Sequence, residues 1–154
     1  MGFASPGSDL TEEKMYTIDS LIKDKRISYV RGAYTPYVYG KYMVYLTQFM
    51  EKSRSKLLFY LLNKKNFIKK TESLWFPSVV VVSYTTMRQM KYLLKKMPDN
   101  TAVIIMFHNI YKKTDPGYGK GAWYWDADLL HELCEYISER KDFKCVTNIE
   151  LLNK

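Results

Sequence analysis

The chain has 154 residues, of which 47% are hydrophobic and 26% charged, so it is long enough to bury a core and too apolar to be disordered throughout. No apolar run approaches the roughly 18 residues of a membrane span, and the N-terminus lacks the basic and apolar regions of a signal peptide. We therefore predict no membrane span and assign no compartment. A loose segment over 1–8 and a single α/β domain over 9–154 are expected.

The net charge of +8 arises from 24 basic and 16 acidic residues. Such a charge is compatible with binding to nucleic acid or another polyanion. However, the basic residues are scattered through predicted helices, and no nucleic-acid-binding motif accompanies them. Lysines on solvated faces are therefore the favoured interpretation. The two cysteines, Cys134 and Cys145, are predicted to be buried thiols, with a single disulfide as the alternative.

Hydrophobic periodicity and capping residues predict the elements of the chain in order. The first half is predicted to contain a helix from an Asp9–Glu12 cap to about Asp24, a strand over 27–34, a turn over 35–40, and a helix over 41–63 that Ser53 or Ser55 could divide. The second half is predicted to contain a strand over 79–82, a helix from Thr85 or Thr86 to Met97, a strand over 101–108, a long loop, a helix capped by Asp126, a strand over 143–146, and a last helical turn boxed by Thr147 and Glu150.

The alternation of helices and strands predicts an α/β fold with a parallel sheet, because successive parallel strands need crossover connections. Four strands are too few for a closed barrel of about eight. The expected architecture is thus a small open sheet or an incomplete (β/α) barrel. An open sheet has exposed edges, so a homodimer formed through a sheet edge is an expected partner state.

Two residues are candidates for chemistry because each stands at the end of a predicted strand. His108 ends the 101–108 strand, and Arg31 lies near the end of the 27–34 strand. The carboxyl ends of parallel strands share one edge of a sheet, so both side chains are expected to face the same opening. For His108, a structural hydrogen bond is the alternative role, and for Arg31 a surface charge.

The loop after His108 is rich in glycine and aromatic residues. Trp123, Tyr124 and Trp125, together with Trp75, are candidate stacking platforms for a sugar, and packing of these rings over the sheet edge is the equal alternative. Asp115 and Asp128 could act with His108, whereas Asp126 is better explained as a helix cap. His131 is predicted to face solvent from the middle of a helix.

Several of these segments resemble the last third of the polysaccharide deacetylase family. The resemblance is carried by Val103-Ile-Ile-Met-Phe-His108-Asn-Ile, by Trp123-Tyr-Trp-Asp-Ala-Asp-Leu-Leu, and by Phe143-Lys-Cys-Val-Thr147-Asn-Ile-Glu-Leu-Leu152. Tyr29-Val-Arg-Gly-Ala-Tyr34 resembles the arginine motif of the family, with Ala33 in place of its proline. The family is a distorted (β/α) barrel of metal-dependent hydrolases that remove acetyl groups from N-acetylated sugars.

The resemblance implies a role for each matching residue. His108 would be the general acid that protonates the departing amine, and Arg31 would position the catalytic base. Apart from the resemblance, Tyr34, Trp123, Tyr124 and Trp125 are candidate contacts for the carbohydrate.

The family's metal-binding motifs are absent from the sequence. The family holds a divalent metal such as zinc with one aspartate and two histidines, and only His131 remains once His108 is taken as the acid. We therefore expect no metal bound by this chain alone. The expected function is that of a polysaccharide deacetylase-like protein with weak or no activity alone. A non-catalytic carbohydrate-binding module is the first alternative, and a nucleic-acid- or polyanion-binding domain the weaker one.

Overall fold

The structure, a computed structural model, describes residues 2–4, 12–24, 29–33, 49, 52–69, 75–147 and 150–151. The strands are β1 (Gly2–Ala4), β2 (Tyr29–Ala33), β3 (Ile68–Lys69), β4 (Trp75–Val80), β5 (Thr101–Ala102), β6 (Ile104–Met106), β7 (Ile110–Tyr111) and β8 (Trp125–Asp126). The helices are α1 (Glu12–Lys23), α2 (Lys56–Asn63), α3 (Met87–Lys95) and α4 (Ala127–Ser138), and a 3₁₀ turn over Lys64–Asn66 follows α2.

The principal sheet is parallel, and its strands lie in the order in which they occur in the chain. The order is β1-β2-β4-β6, and each neighbouring pair is parallel. The α/β class and the parallel sheet are therefore confirmed. Two further pairs lie outside this sheet and were not predicted: β3 with β5, which is antiparallel, and β7 with β8, which is parallel.

The helix starts follow the capping residues that the sequence suggested. Thr86 and Gln89 form a complete capping box at the start of α3, and the Asp126 side chain accepts from the backbone N–H of Asp128 at the start of α4. Thr147 and Glu150 also bond reciprocally, with N···O distances of 2.6 and 3.2 Å. These capping predictions are confirmed. Each cap joins residues three or fewer positions apart, so the local sequence is enough to predict it.

Helices α2, α3 and α4 contribute to one hydrophobic cluster with the sheet. Its most buried members are Val79 of β4, Val81 just after β4, Met90 and Leu93 of α3, and Trp125 of β8. The alternation along β4 turns Val79 and Val81 toward this cluster, and Ile105 of β6 packs against it. The first position of α2 is fixed by Ser55, whose Oγ accepts from the backbone N–H of Leu58.

Three expectations are corrected by the structure. The 1–8 segment is not loose throughout, because Gly2–Ala4 pairs with β2 as the edge strand β1. The 143–146 segment forms no strand, and Phe143 and Val146 instead line a groove. Cys134 and Cys145, which were expected to be buried, are both exposed and free. Cys134 is exposed because it falls outside the apolar stripe of α4.

The single strand expected over 101–108 is divided in two, because Thr101–Ala102 pairs with β3 whereas Ile104–Met106 pairs with β4. The Asp9 cap, the 35–40 turn and the helix over 41–48 lie outside the described residues. None of the described helices is long and apolar enough to cross a membrane.

Candidate functional site

His108 lies two residues beyond β6, at the carboxyl edge of the sheet, and its side chain is exposed. The imidazole meets the Trp123 indole edge-to-face, with ring centroids 4.7 Å apart and an interplanar angle of 67°. The indole itself is 60% exposed. A titratable ring and an open aromatic face therefore stand side by side at the edge where α/β proteins bind ligands.

The loop between β6 and α4 is anchored where it carries Trp123. Asn109 Nδ2 donates to the Trp123 carbonyl at 2.9 Å, and the Trp125 backbone N–H donates to the Asn109 carbonyl at 2.8 Å. The backbone N–H of Ser83, just after β4, donates to the Ala122 carbonyl at 2.9 Å. Bonds on both sides of Trp123 restrain the backbone at its position, which reduces the entropy that a ligand would have to remove.

Trp125 anchors the same loop to the interior. Its side chain is 1% exposed, it stacks on Phe107 with centroids 5.4 Å apart, and Nε1 donates to the buried Thr85 carbonyl at 2.8 Å. Tyr124 is also buried, at 9% exposure. The two rings predicted to contact a sugar alongside Trp123 are therefore core residues, and only Trp123 of the three offers an open face.

A cluster of tyrosines supports the far side of the loop. Tyr124 packs against Tyr111 and Tyr118, with centroids 5.7 and 5.3 Å away. The Tyr118 hydroxyl donates to Asp126 Oδ2 at 2.8 Å, which ties the loop to the start of α4. Between these ties, Gly119 and Gly121 have φ values of +79° and +78°, a backbone conformation that favours glycine.

The Tyr118–Asp126 hydrogen bond changes how both groups titrate. The hydrogen bond is the largest cause of the raised pKa of Tyr118, and burial and the charge of Asp126 raise this pKa further. At Asp126, burial acts to raise the pKa, but hydrogen bonds from Tyr118 and from the backbone N–H groups of Asp128 and Leu129 outweigh it. The pKa of Asp126 is therefore lowered, and the ionised carboxylate is favoured.

Arg31 does not lie beside His108. It occupies the third of five positions in β2 and pairs with Phe76, whereas extending the β4–β6 register by two residues places His108 level with Val82. Six residues along β4 correspond to about 20 Å. The two residues therefore stand at different heights along the sheet, and the structure does not bring them together as expected.

The other candidates are placed as follows. Asp115 Oδ2 accepts from the Lys112 backbone N–H at 2.7 Å and closes a turn. Asp128 is exposed, with an oxygen 3.8 Å from Lys113 Nζ. His131 is exposed on α4, as predicted, and lies 3.3 Å from Glu135. Tyr34 and the side chain of Trp75 lie outside the part of the chain that the structure describes.

The turn after β4 was missed by the sequence reasoning. Ser83 binds the loop, and Thr85 provides both the carbonyl for Trp125 and a hydroxyl that accepts from the Val82 N–H at 3.2 Å. The signal was present in the sequence, since three polar or half-polar residues follow the apolar 79–82 run at a strand end.

The resemblance implies a metal held by one aspartate and two histidines. Among the described side chains, no group of three or more His, Cys, Asp or Glu is placed to hold a metal ion. The two histidines have other neighbours, since His108 contacts Trp123 and His131 pairs with Glu135. The described residues therefore do not fit the family's metal site.

The described residues define a parallel α/β protein with an anchored aromatic loop at the carboxyl edge of its sheet. No family model, curated protein or solved structure matches the chain.

Proposed function

We propose that this chain binds a carbohydrate at the carboxyl edge of the sheet, with Trp123 as the stacking surface and His108 as its polar neighbour. The observation that carries the proposal is the open Trp123 indole, 60% exposed and 4.7 Å from the imidazole, on a backbone restrained by hydrogen bonds. An indole gives a large rigid apolar face for the C–H face of a sugar ring. The imidazole nitrogens can hydrogen-bond to hydroxyl or amide groups.

The class of carbohydrate follows from the resemblance to polysaccharide deacetylases, which act on N-acetylated sugars. On this proposal the chain is a diverged relative that retains the sheet edge and the aromatic loop. Support comes from the parallel α/β sheet, whose strands follow one another in chain order as in a (β/α) barrel.

Binding is tested by titrating the full chain with oligosaccharides of N-acetylglucosamine and measuring the dissociation constant by calorimetry. We expect Trp123→Ala to weaken binding about tenfold or more, because buried tryptophans dominate the affinity of contact surfaces. Tyr16→Ala is the matched control, since Tyr16 is 80% exposed on α1, and it should change nothing. Unchanged affinity of the Trp123→Ala variant would refute the proposed site.

Hydrolysis is the second candidate function, and the exposed position of His108 next to Trp123 favours it. Water would add to the acetyl carbonyl, and His108 would protonate the leaving amine as the C–N bond breaks, which gives acetate and a free amine. Acetate released from the same oligosaccharides, with and without added divalent metal, measures this reaction. Release that His108→Ala abolishes would make the chain a hydrolase, whereas binding without acetate release would leave a carbohydrate-binding module.

A further inference from the structure

The outer side of α2 exposes two leucines one helical turn apart. Leu57 and Leu61 are 50% and 40% exposed, whereas Phe59 and Asn63 on the opposite side are buried. Residues four positions apart share a side of a helix, so the leucines form one short apolar stripe. Phe49, which precedes α2 in the chain, is a further apolar side chain and is 69% exposed. Its carbonyl accepts a hydrogen bond from the backbone N–H of Ser53.

Positive charge flanks this stripe at both ends. Arg54 precedes α2, and Lys64 and Lys65 follow its last residue in the 3₁₀ turn; all three are exposed. The 52–69 segment has six basic residues and no acidic one: Lys52, Arg54, Lys56, Lys64, Lys65 and Lys69.

Helix α3 extends the basic surface. The 86–97 segment has four basic residues and no acidic one. Lys56 Nζ and Lys96 Nζ lie 5.0 and 5.9 Å from the centre of the same Tyr92 ring, so cations of the two helices meet there. On the side toward α4, Lys91 is paired with Glu132 at 2.7 Å.

Acidic residues are concentrated on α4 and at its end. Asp128, Glu132, Glu135 and Glu139 lie there, against no lysine or arginine within the helix. In the described part of the chain, basic residues are thus concentrated on α2 and α3 and acidic residues on α4, and the two exposed leucines lie on α2.

We infer that α2 and the adjoining end of α3 form a docking surface for an anionic lipid bilayer. The cations would lie at the phosphate level, and Leu57 and Leu61 would enter the boundary between headgroups and acyl chains. A phosphate polymer would satisfy the cations equally well, but it would leave both leucines in water. The apolar stripe therefore decides for the bilayer. This inference is independent of the proposed carbohydrate site, which lies on a different loop.

The test is sedimentation of the full chain with vesicles of phosphatidylcholine alone and with about one third phosphatidylserine. We expect binding only to the anionic vesicles, with an affinity that falls as salt is added. Arg54→Gln with Lys64→Gln should weaken binding about 25-fold, at about fivefold for each cation. Leu57→Ser with Leu61→Ser should weaken it about tenfold.

Matched controls use exposed residues elsewhere on the chain. Lys120→Gln with Lys141→Gln removes the same charge, and Tyr16→Ser removes an exposed apolar ring; both should stay within about twofold of the wild type. Circular dichroism confirms that each variant is folded.

Three outcomes would overturn the inference. One is the absence of binding to anionic vesicles. The second is vesicle binding that the leucine variant leaves unchanged, together with equal binding to duplex DNA or heparin, which would make the surface a general polyanion site. The third is a loss of binding in the Lys120→Gln with Lys141→Gln control that equals the loss in the Arg54→Gln with Lys64→Gln variant, which would reduce the effect to net charge.

Discussion

Trp123 and Trp125 are separated by one residue, and the same substitution should cost much stability at Trp125 and almost none at Trp123. Trp125→Phe removes the indole N–H that donates to the buried Thr85 carbonyl at 2.8 Å. A buried carbonyl left without its donor costs about 1–3 kcal/mol. The smaller ring also leaves space against Phe107 and the core, which adds about 1 kcal/mol.

The sum predicts a loss of about 2–4 kcal/mol in the free energy of unfolding for Trp125→Phe. Trp123→Phe changes a side chain that is 60% exposed and should stay within about 0.5 kcal/mol. Urea unfolding followed by circular dichroism measures both variants without depending on tryptophan emission. At a slope of about 2 kcal/mol per M, the Trp125→Phe midpoint should fall by about 1–2 M.

The reasoning is refuted if the two variants lose the same stability, or if Trp125→Phe loses less than about 0.5 kcal/mol. Carbohydrate binding separates the two positions further. Below its unfolding transition, Trp125→Phe should retain binding that Trp123→Ala loses, because only the Trp123 indole has an open face.

Two further predictions concern the supports of the site. Thr86→Ala breaks the capping box of α3 and should lower the free energy of unfolding by about 1 kcal/mol in urea titrations, whereas Thr114→Ala in the exposed loop should not. Tyr118→Phe removes the hydrogen bond that Tyr118 donates to Asp126. The pKa of Asp126 is lowered in the folded state, so this bond stabilises the fold fully above the ordinary pKa near 3.8. The stabilisation is lost as the pH falls through the lowered pKa.

The Tyr118→Phe experiment is a comparison of unfolding free energies across pH. The raised pKa of Tyr118 means that its contribution is complete below 10.0 and is lost as the pH rises through the raised value. The gap between wild type and variant should therefore be widest between about pH 5 and 9 and narrow at both ends. Tyr16→Phe, at an exposed ring, should show no such gap, and a gap that is independent of pH would contradict the assignment.

Local features of the fold could be predicted from the sequence. Capping at Thr86, Asp126 and Thr147 involves partners two or three residues away, so the information lies within one turn of chain. The continuous apolar 79–82 run likewise predicts a buried strand because no polar face interrupts it. The parallel α/β class follows from the alternation of such elements.

Features that depend on pairing between distant segments could not be predicted. Gly2–Ala4 has little strand propensity of its own and is a strand because β2 offers it a partner. The 143–146 segment has strand-like residues but no partner strand within the described part of the chain. Composition cannot distinguish these cases, because a strand is stabilised by hydrogen bonds to another part of the chain.

The candidate site divides in the same way. The sequence by itself determined that His108 follows a buried strand and that an aromatic loop follows His108. Only the tertiary structure decided that Trp123 is open while Trp125 is buried, that Arg31 pairs at the level of Phe76, and that basic residues of α2 and α3 meet around Tyr92. The physical reason is that burial, register and surface charge are set by contacts between segments far apart in the chain, whereas strand ends and caps are set by neighbours.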